Sequence, residues 1–133
     1  MAYRRPNWLT RKVFNPLAMK TGISGTQALA VRGRRTGATQ RVPVIPIEHG
    51  GSRYLVSPRG ETDWVRNLRA AGEGELGSER IRATEVPVEE RTPILAEYQR
   101  IAGRAVTSHF RALPDAADHP VFRLDAPQSD RSV

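Results

Sequence analysis

The 133 residues include no cysteine and only three histidines. The first absence excludes a disulfide framework and any thiolate-held metal. The histidines, His49, His109 and His119, share no ligand spacing and have no acidic partner at a recognisable offset, so no metal is expected. No apolar run approaches the ~20 residues of a membrane-spanning helix. The basic start is not followed by the apolar segment of a secretory leader, so the expected location is cytoplasmic. Aromatic residues make up 6% of the chain, and Trp8, Tyr54, Trp64 and Phe110 do not alternate along one strand. A basic nucleic-acid-binding module would need such a stacking platform, and no nucleic-acid partner is expected.

Acidic residues are also scarce where basic ones are dense. Residues 1 to 69 hold 13 Lys+Arg against Glu48, Glu61 and Asp63, whereas the remainder is net negative and brings the total to +7. Lysine is nearly missing from this excess: 19 of the 21 basic residues are arginine. Guanidinium groups grip phosphate and carboxylate through paired donors, so the first half reads as a surface for an anion.

Turn residues recur throughout with no repeat and no interior linker, which argues for one domain. Residues 7 to 17 place Leu9, Val13 and Leu17 at helical spacing with Trp8 and Phe14 beside them. Such a basic amphipathic helix could cover the fold or rest on an anionic membrane. A strand is expected from Thr26 to Arg32, then a turn at Gly33-Arg34-Arg35-Thr36-Gly37, then a strand from Thr39 to Ile47. Pro43 and Pro46 remove amide donors from that second strand, which places it at a sheet edge or on a bulge. Further strands are read over Arg53–Ser57, Gly74–Glu79, Ile81–Val88 and Pro120–Leu124, six in all. Thr62 or Asp63 can cap a helix with Trp64, Val65, Leu68 and Ala71 on its apolar face, ended by Gly72. A second helix, about Glu89 to Ala102, is expected to bury Ile94, Leu95, Tyr98 and Ile101, and Val106–Leu113 reads as a short helix. Few helices among six strands suggest a small antiparallel barrel.

Arg34, Arg35 and Thr36 at one turn, Arg41 just beyond it and Arg59 in the loop after the third strand would form an anion site if their strands are neighbours. The amides around Asp63 and Trp64 would add a helix N-terminus. Arginines at hairpin tips can equally be solvated, and spacing leaves both readings open. Ser57 has no nucleophile-elbow context, and the Gly33–Gly37 turn has neither the glycine spacing nor the strand-to-helix setting of a nucleotide loop.

At Gly33-Arg34-Arg35-Thr36-Gly37, Arg41-Val42-Pro43, Ser57-Pro58-Arg59-Gly60 and Asp63-Trp64-Val65-Arg66-Asn67-Leu68, the sequence resembles the deazaflavin (coenzyme F-420)-dependent nitroreductase family. The likeness extends over roughly residues 5 to 126. It implies a mainly β (α+β) fold: a small antiparallel split β-barrel of the FMN-binding type, with an N-terminal helix and two or three others. One domain over residues 1–126 and a flexible tail over 127–133 would follow. It also implies a homodimer and a hydride passed from reduced coenzyme F-420 to a quinone, a nitro compound or another activated small-molecule acceptor, with FMN as the alternative cofactor. On this likeness Arg34, Arg35, Thr36, Arg41, Val42, Pro43 and Val44 grip the coenzyme's phosphate and glutamyl tail and wall its ring. Ser57, Pro58 and Arg59 lie against the ring, and Asp63, Trp64, Val65, Arg66 and Asn67 form the adjoining helix start. Ser57 is the catalytic candidate, as a hydrogen-bond donor. Val106–Leu113 offers only His109 and Phe110 where nitro-reducing members are aromatic-rich, which favours another acceptor. A split-barrel protein holding a cofactor or lipid without turnover is the alternative. A peripheral membrane contact through residues 1–20 would bring the site to lipid quinones.

Overall fold

The computed structural model describes residues 25–127. The expected N-terminal helix, its membrane contact and nearly all of the tail lie outside that range. Seven strands form one antiparallel sheet: β1 (Gln27–Arg32), β2 (Thr39–Val44), β3 (Ile47–His49), β4 (Ser52–Val56), β5 (Glu73–Leu76), β6 (Glu79–Glu85) and β7 (Val121–Asp125). Their order is β2-β1-β5-β6-β7-β4-β3. Among the described residues three α-helices accompany them: α1 (Asp63–Ala71), α2 (Thr92–Ala102) and α3 (Arg104–Ala112).

The two edge strands, β2 and β3, are consecutive in the chain and separated only by Ile45 and Pro46. Such a link spans at most ~11 Å, so the sheet must curl until its edges nearly meet. No ladder joins them among the described residues, and the barrel is therefore split there. The proline argument for an edge holds, and the single strand expected over Thr39–Ile47 is corrected to two. Ile45 and Pro46 turn the corner between them.

Alternation along the strands feeds two cores. Leu29, Val31, Val44, Leu55, Leu76, Ile81, Phe122 and Leu124 pack with Trp64, Val65 and Leu68 of α1. Ile47, Val56, Val86 and Val121 face the other way and pack with Ile94, Leu95, Tyr98 and Ala102 of α2 and Val106 of α3. Burying a side chain such as Leu68 completely contributes roughly 1.5–3 kcal/mol, and its exchange for Ala would cost about 2–5 kcal/mol. This packing fixes α1 inside the curled sheet.

Other boundaries also differ from expectation. β5 stops at Leu76 and β6 begins at Glu79, because Gly77 turns the chain with φ +64°. The segment read as helical from Glu89 is a 3-10 turn, Val88–Glu90, followed by α2. Pro93 sits in the first turn of α2, where no intrahelical N–H is required, so it starts the helix. Ile101 is 41% exposed rather than buried, since Ala102 completes the inner face after Tyr98.

Candidate functional site

β1 and β2 are joined by the six residues 33–38, which hold their own shape. Gly33 N–H donates to Ala38 O at 2.7 Å, Gly37 N–H to Gly33 O at 2.9 Å, and Ala38 N–H to Thr36 Oγ1 at 3.1 Å. Gly37 has φ +79°, a conformation that glycine adopts without strain. Arg35 and Thr36 are exposed at the tip, and Arg34 is half-buried. Along β2, Arg41 and Pro43 face outward, Val42 is partly buried against the inner core and Val44 is within it.

The second element of the site is the loop from Ser57 to Thr62. Ser57 is fully buried, and its hydroxyl donates to Gly60 O at 2.6 Å. Its N–H donates to Pro120 O at 2.9 Å, and Thr62 N–H closes a turn on Gly60 O at 2.9 Å. Gly60, at φ +91°, lies close to the Asp118 carbonyl and the Leu113 side chain. Pro58 is half-buried and Arg59 is exposed. The Ser57 hydroxyl is therefore committed to the loop's own backbone.

These two loops do not lie on neighbouring strands: β5, β6 and β7 separate β4 from β1–β2 on one side, and β3 and the split separate them on the other. The start of α1 brings them together. Asn67, only 6% exposed, accepts at Oδ1 from Arg34 N–H at 3.0 Å and Arg34 Nη1 at 2.7 Å. Its Nδ2 donates to Gln40 Oε1 at 2.7 Å. Arg34 Nη2 also lies 3.6 Å from Asp63 Oδ1. Trp64 and Val65 point into the core, Trp64 tilted against Phe122 with ring centres 6.2 Å apart, and so seat the helix. Arg66 is exposed on the other side, 3.9 Å from Glu61.

A chain of ion pairs braces the same region. Arg69 binds Glu61 at 3.0 and 2.9 Å and Glu85 at 2.7 and 2.9 Å. Those Arg69 hydrogen bonds hold the Glu61 carboxyl below its ordinary range, while the two carboxylates raise Arg69. Arg91, 5% exposed, meets Glu85 at 3.3 Å and donates to the carbonyls of Val86, Ala116 and His119 at 3.0, 3.3 and 3.3 Å. His119 is fully buried. Sequence reasoning passed over Arg91, Gln40 and His119, which it read as a loop residue. Their partners are backbone carbonyls and an amide, which carry no sequence signature.

One polar atom in the site lacks a partner. Thr62 adopts the extended backbone of an N-cap (φ −89°, ψ 173°), yet its side chain makes no cap hydrogen bond. Among the described residues its Oγ1 is buried and unpaired. A buried hydroxyl left unmade is costly, and the first-turn amides beside it carry the positive end of the helix. Arg35, Arg41 and Arg59 are exposed on the turn, the strand and the loop that flank α1, and guanidinium groups of this kind suit a ligand bearing phosphate and carboxylate groups. No group of three or more metal-ligating side chains occurs among the described residues, and none of their helices is long and apolar enough to cross a membrane.

Residues 3–111 match the family model for F420H(2)-dependent quinone reductase. The chain belongs to that family. Coenzyme F-420 is accordingly its cofactor, and the protein is an oxidoreductase. Solved structures agree on the split barrel. An F420-H2 dependent reductase (FDR-A) superposes with TM-score 0.56 at 19% identity, over 77% of this chain and 95% of its own. A chain described as a domain-swapped dimer gives 0.55 at 17%, over 90% and 98%. Campylobacter jejuni ChuZ gives 0.58 at 14%, over 93% and 55%. Among curated proteins none matches.

Proposed function

We propose that this reductase passes a hydride from reduced coenzyme F-420 to a planar quinone-type acceptor, and that the surface around the start of α1 holds the coenzyme. The observation that carries this reading is the meeting of the arginine turn 33–38 with the loop 57–62 through Asn67, Arg34 and Asp63. Arg35, Arg41 and Arg59 would take the phosphodiester and glutamyl carboxylates. The first-turn amides of α1 would add donors at the positive end of the helix. FMN would leave much of this positive charge unmatched, which favours the deazaflavin.

When bound, the coenzyme supplies the hydride; the chain supplies placement and electrostatics. Asn67 holds Arg34 so that the turn presents Arg35 and Thr36 outward. Ser57 closes the loop on Gly60 and fixes the direction of Pro58 and Arg59, which would lie along the ring. The guanidinium of Arg59 would favour negative charge on the ring system. Val42, on the inner face of β2, would wall one side and keep water from the acceptor, while Pro43 faces the other way. A homodimer is supported by the domain-swapped neighbour, which aligns over nearly all of its length.

The test is a fluorescence titration with oxidised coenzyme F-420 beside FMN, for the wild type and for Arg35→Ala, Arg41→Ala and Arg59→Ala. Selective deazaflavin binding that weakens in each variant, with quinone turnover by the reduced coenzyme, is the expected result. Binding that ignores all three substitutions would remove the assignment of this surface.

A further inference from the structure

The loop from Ser57 to Thr62 rests on a support that its own sequence does not reveal. His119 lies just before β7, fully buried, and each of its ring nitrogens faces a carbonyl oxygen. Nδ1 is 3.0 Å from Ser57 O, and Nε2 is 2.6 Å from Leu113 O, at the end of α3. Phe110 stacks on the ring with centres 4.1 Å apart and planes within 17°. Carbonyl oxygens only accept, so each ring nitrogen that carries a hydrogen donates to the carbonyl it faces; the imidazole lies between the loop and the helix end with an aromatic ring stacked on its face. The segment carrying His119 is itself held from beneath by the buried Arg91 guanidinium on the Ala116 and His119 carbonyls.

The loop and residues 113–119 also touch directly. A Cβ on Gly60 would stand 3.4 Å from Asp118 O and 3.5 Å from Leu113 Cδ1, so the two backbones are already in close approach. Ser57 N–H reaches Pro120 O. We infer that His119 is a positioning residue for the coenzyme loop: it fastens Ser57–Gly60 to the end of α3, so that loop and helix end move as one unit. This inference rests on the reading of that loop as a coenzyme contact, but the mechanical coupling stands apart from it.

Amide hydrogen exchange on the apo wild type decides the coupling first. Along a urea series the amides of Ser57 and Thr62 should open in the same step as that of Leu113, whose N–H donates to His109 O at the end of α3. Openings in separate steps would overturn the clamp. His119→Phe keeps a flat ring against Phe110 and removes both nitrogen contacts. Thr62 should then exchange about tenfold faster, the factor one lost hydrogen bond carries, while Gly72 at the far end of α1 is unchanged. An unchanged Thr62 rate would count against the inference, and should this variant not fold, the wild-type series alone decides the coupling. In the binding arm, His119→Phe should weaken coenzyme F-420 about tenfold by the same reckoning and raise the KM for coenzyme but not for acceptor. Equal binding by the variant would sink the role in positioning. Wild type that fails to bind coenzyme would instead overturn the functional reading, leaving the exchange result intact.

Discussion

Asn67 Oδ1 accepts from both the backbone N–H and the Nη1 of Arg34, so one buried amide on α1 sets the conformation of the arginine turn. The same amide donates to Gln40 on β2, so both polar atoms of its head group have a partner. A polar side chain on an otherwise apolar helix face is tolerated only when so satisfied.

Asn67→Leu should therefore cost about 2 kcal/mol, since Arg34 and Gln40 groups lose their partner at a site water barely reaches. Coenzyme affinity should fall with it, because Arg35 and Thr36 depend on the turn. Asn67→Asp keeps the acceptor for Arg34 and loses only the donor to Gln40, so its loss should be smaller. Urea unfolding and fluorescence titration check both, and equal losses in the two variants would show that Arg34 is not the partner that matters.

Ser57→Ala removes a buried hydrogen bond internal to the loop, from Ser57 Oγ to Gly60 O. Stability should drop by about 1–2 kcal/mol and turnover should drop with it, as the loop loses its fixed direction. A hydroxyl that instead served the ring directly would lower kcat and leave the unfolding midpoint untouched. Thermal or urea unfolding measured beside steady-state rates separates these outcomes.

Tyr98 predicts an alkaline limb of stability. Burial pushes its phenol up to about 12 from an ordinary value of 10.0, because the phenolate cannot be solvated between α2 and α3. The folded-state value is the higher one, so the stabilisation is complete below pH 10 and declines as pH rises toward 12, where the unfolded chain ionises first. The difference is of order 2–3 kcal/mol at most. Tyr98→Phe keeps the tilted contact with Phe110 and should flatten the stability profile over that interval. Unfolding free energies at pH 9 to 11.5 for both proteins test it; parallel curves would show that another group titrates.

Much of this architecture could be read from residue patterns. The apolar face of α1 and the anomalous Asn67 on it, the edge character of a strand carrying Pro43, and the turn at residues 33–37 all follow from local chemistry. The meeting of the two loops does not. It depends on α1 crossing the inside of a sheet whose strand order is nonlocal, so Arg34 finds Asp63 and Asn67 rather than any strand neighbour of the Ser57 loop. His119 and Arg91 were equally hidden, because each works on backbone carbonyls that every residue possesses. The break at Ile45–Pro46 left a trace in the two prolines three residues apart, but extended strand and corner share that composition.

Glu85 should prove the most costly acidic residue to remove. Its carboxylate binds Arg69 at 2.7 and 2.9 Å and also faces the buried Arg91 guanidinium at 3.3 Å. Deleting one side of a buried pair leaves the other charge uncompensated, and that leftover charge dominates the cost. Glu85 is 28% exposed, so water offsets part of the loss, and Glu85→Ala should destabilise by about 2–3 kcal/mol. Glu85→Gln retains an acceptor and should cost less. The exposed pair Arg123–Asp125, with both side chains about half exposed, supplies the contrast: Arg123→Gln should stay within about 0.5 kcal/mol of wild type. Because Arg91 also holds residues 116–119, Glu85→Ala should weaken coenzyme binding at a distance, and Arg123→Gln should not. Equal unfolding costs for Glu85→Ala and Arg123→Gln would mean that burial of Arg91 gives this network no special weight.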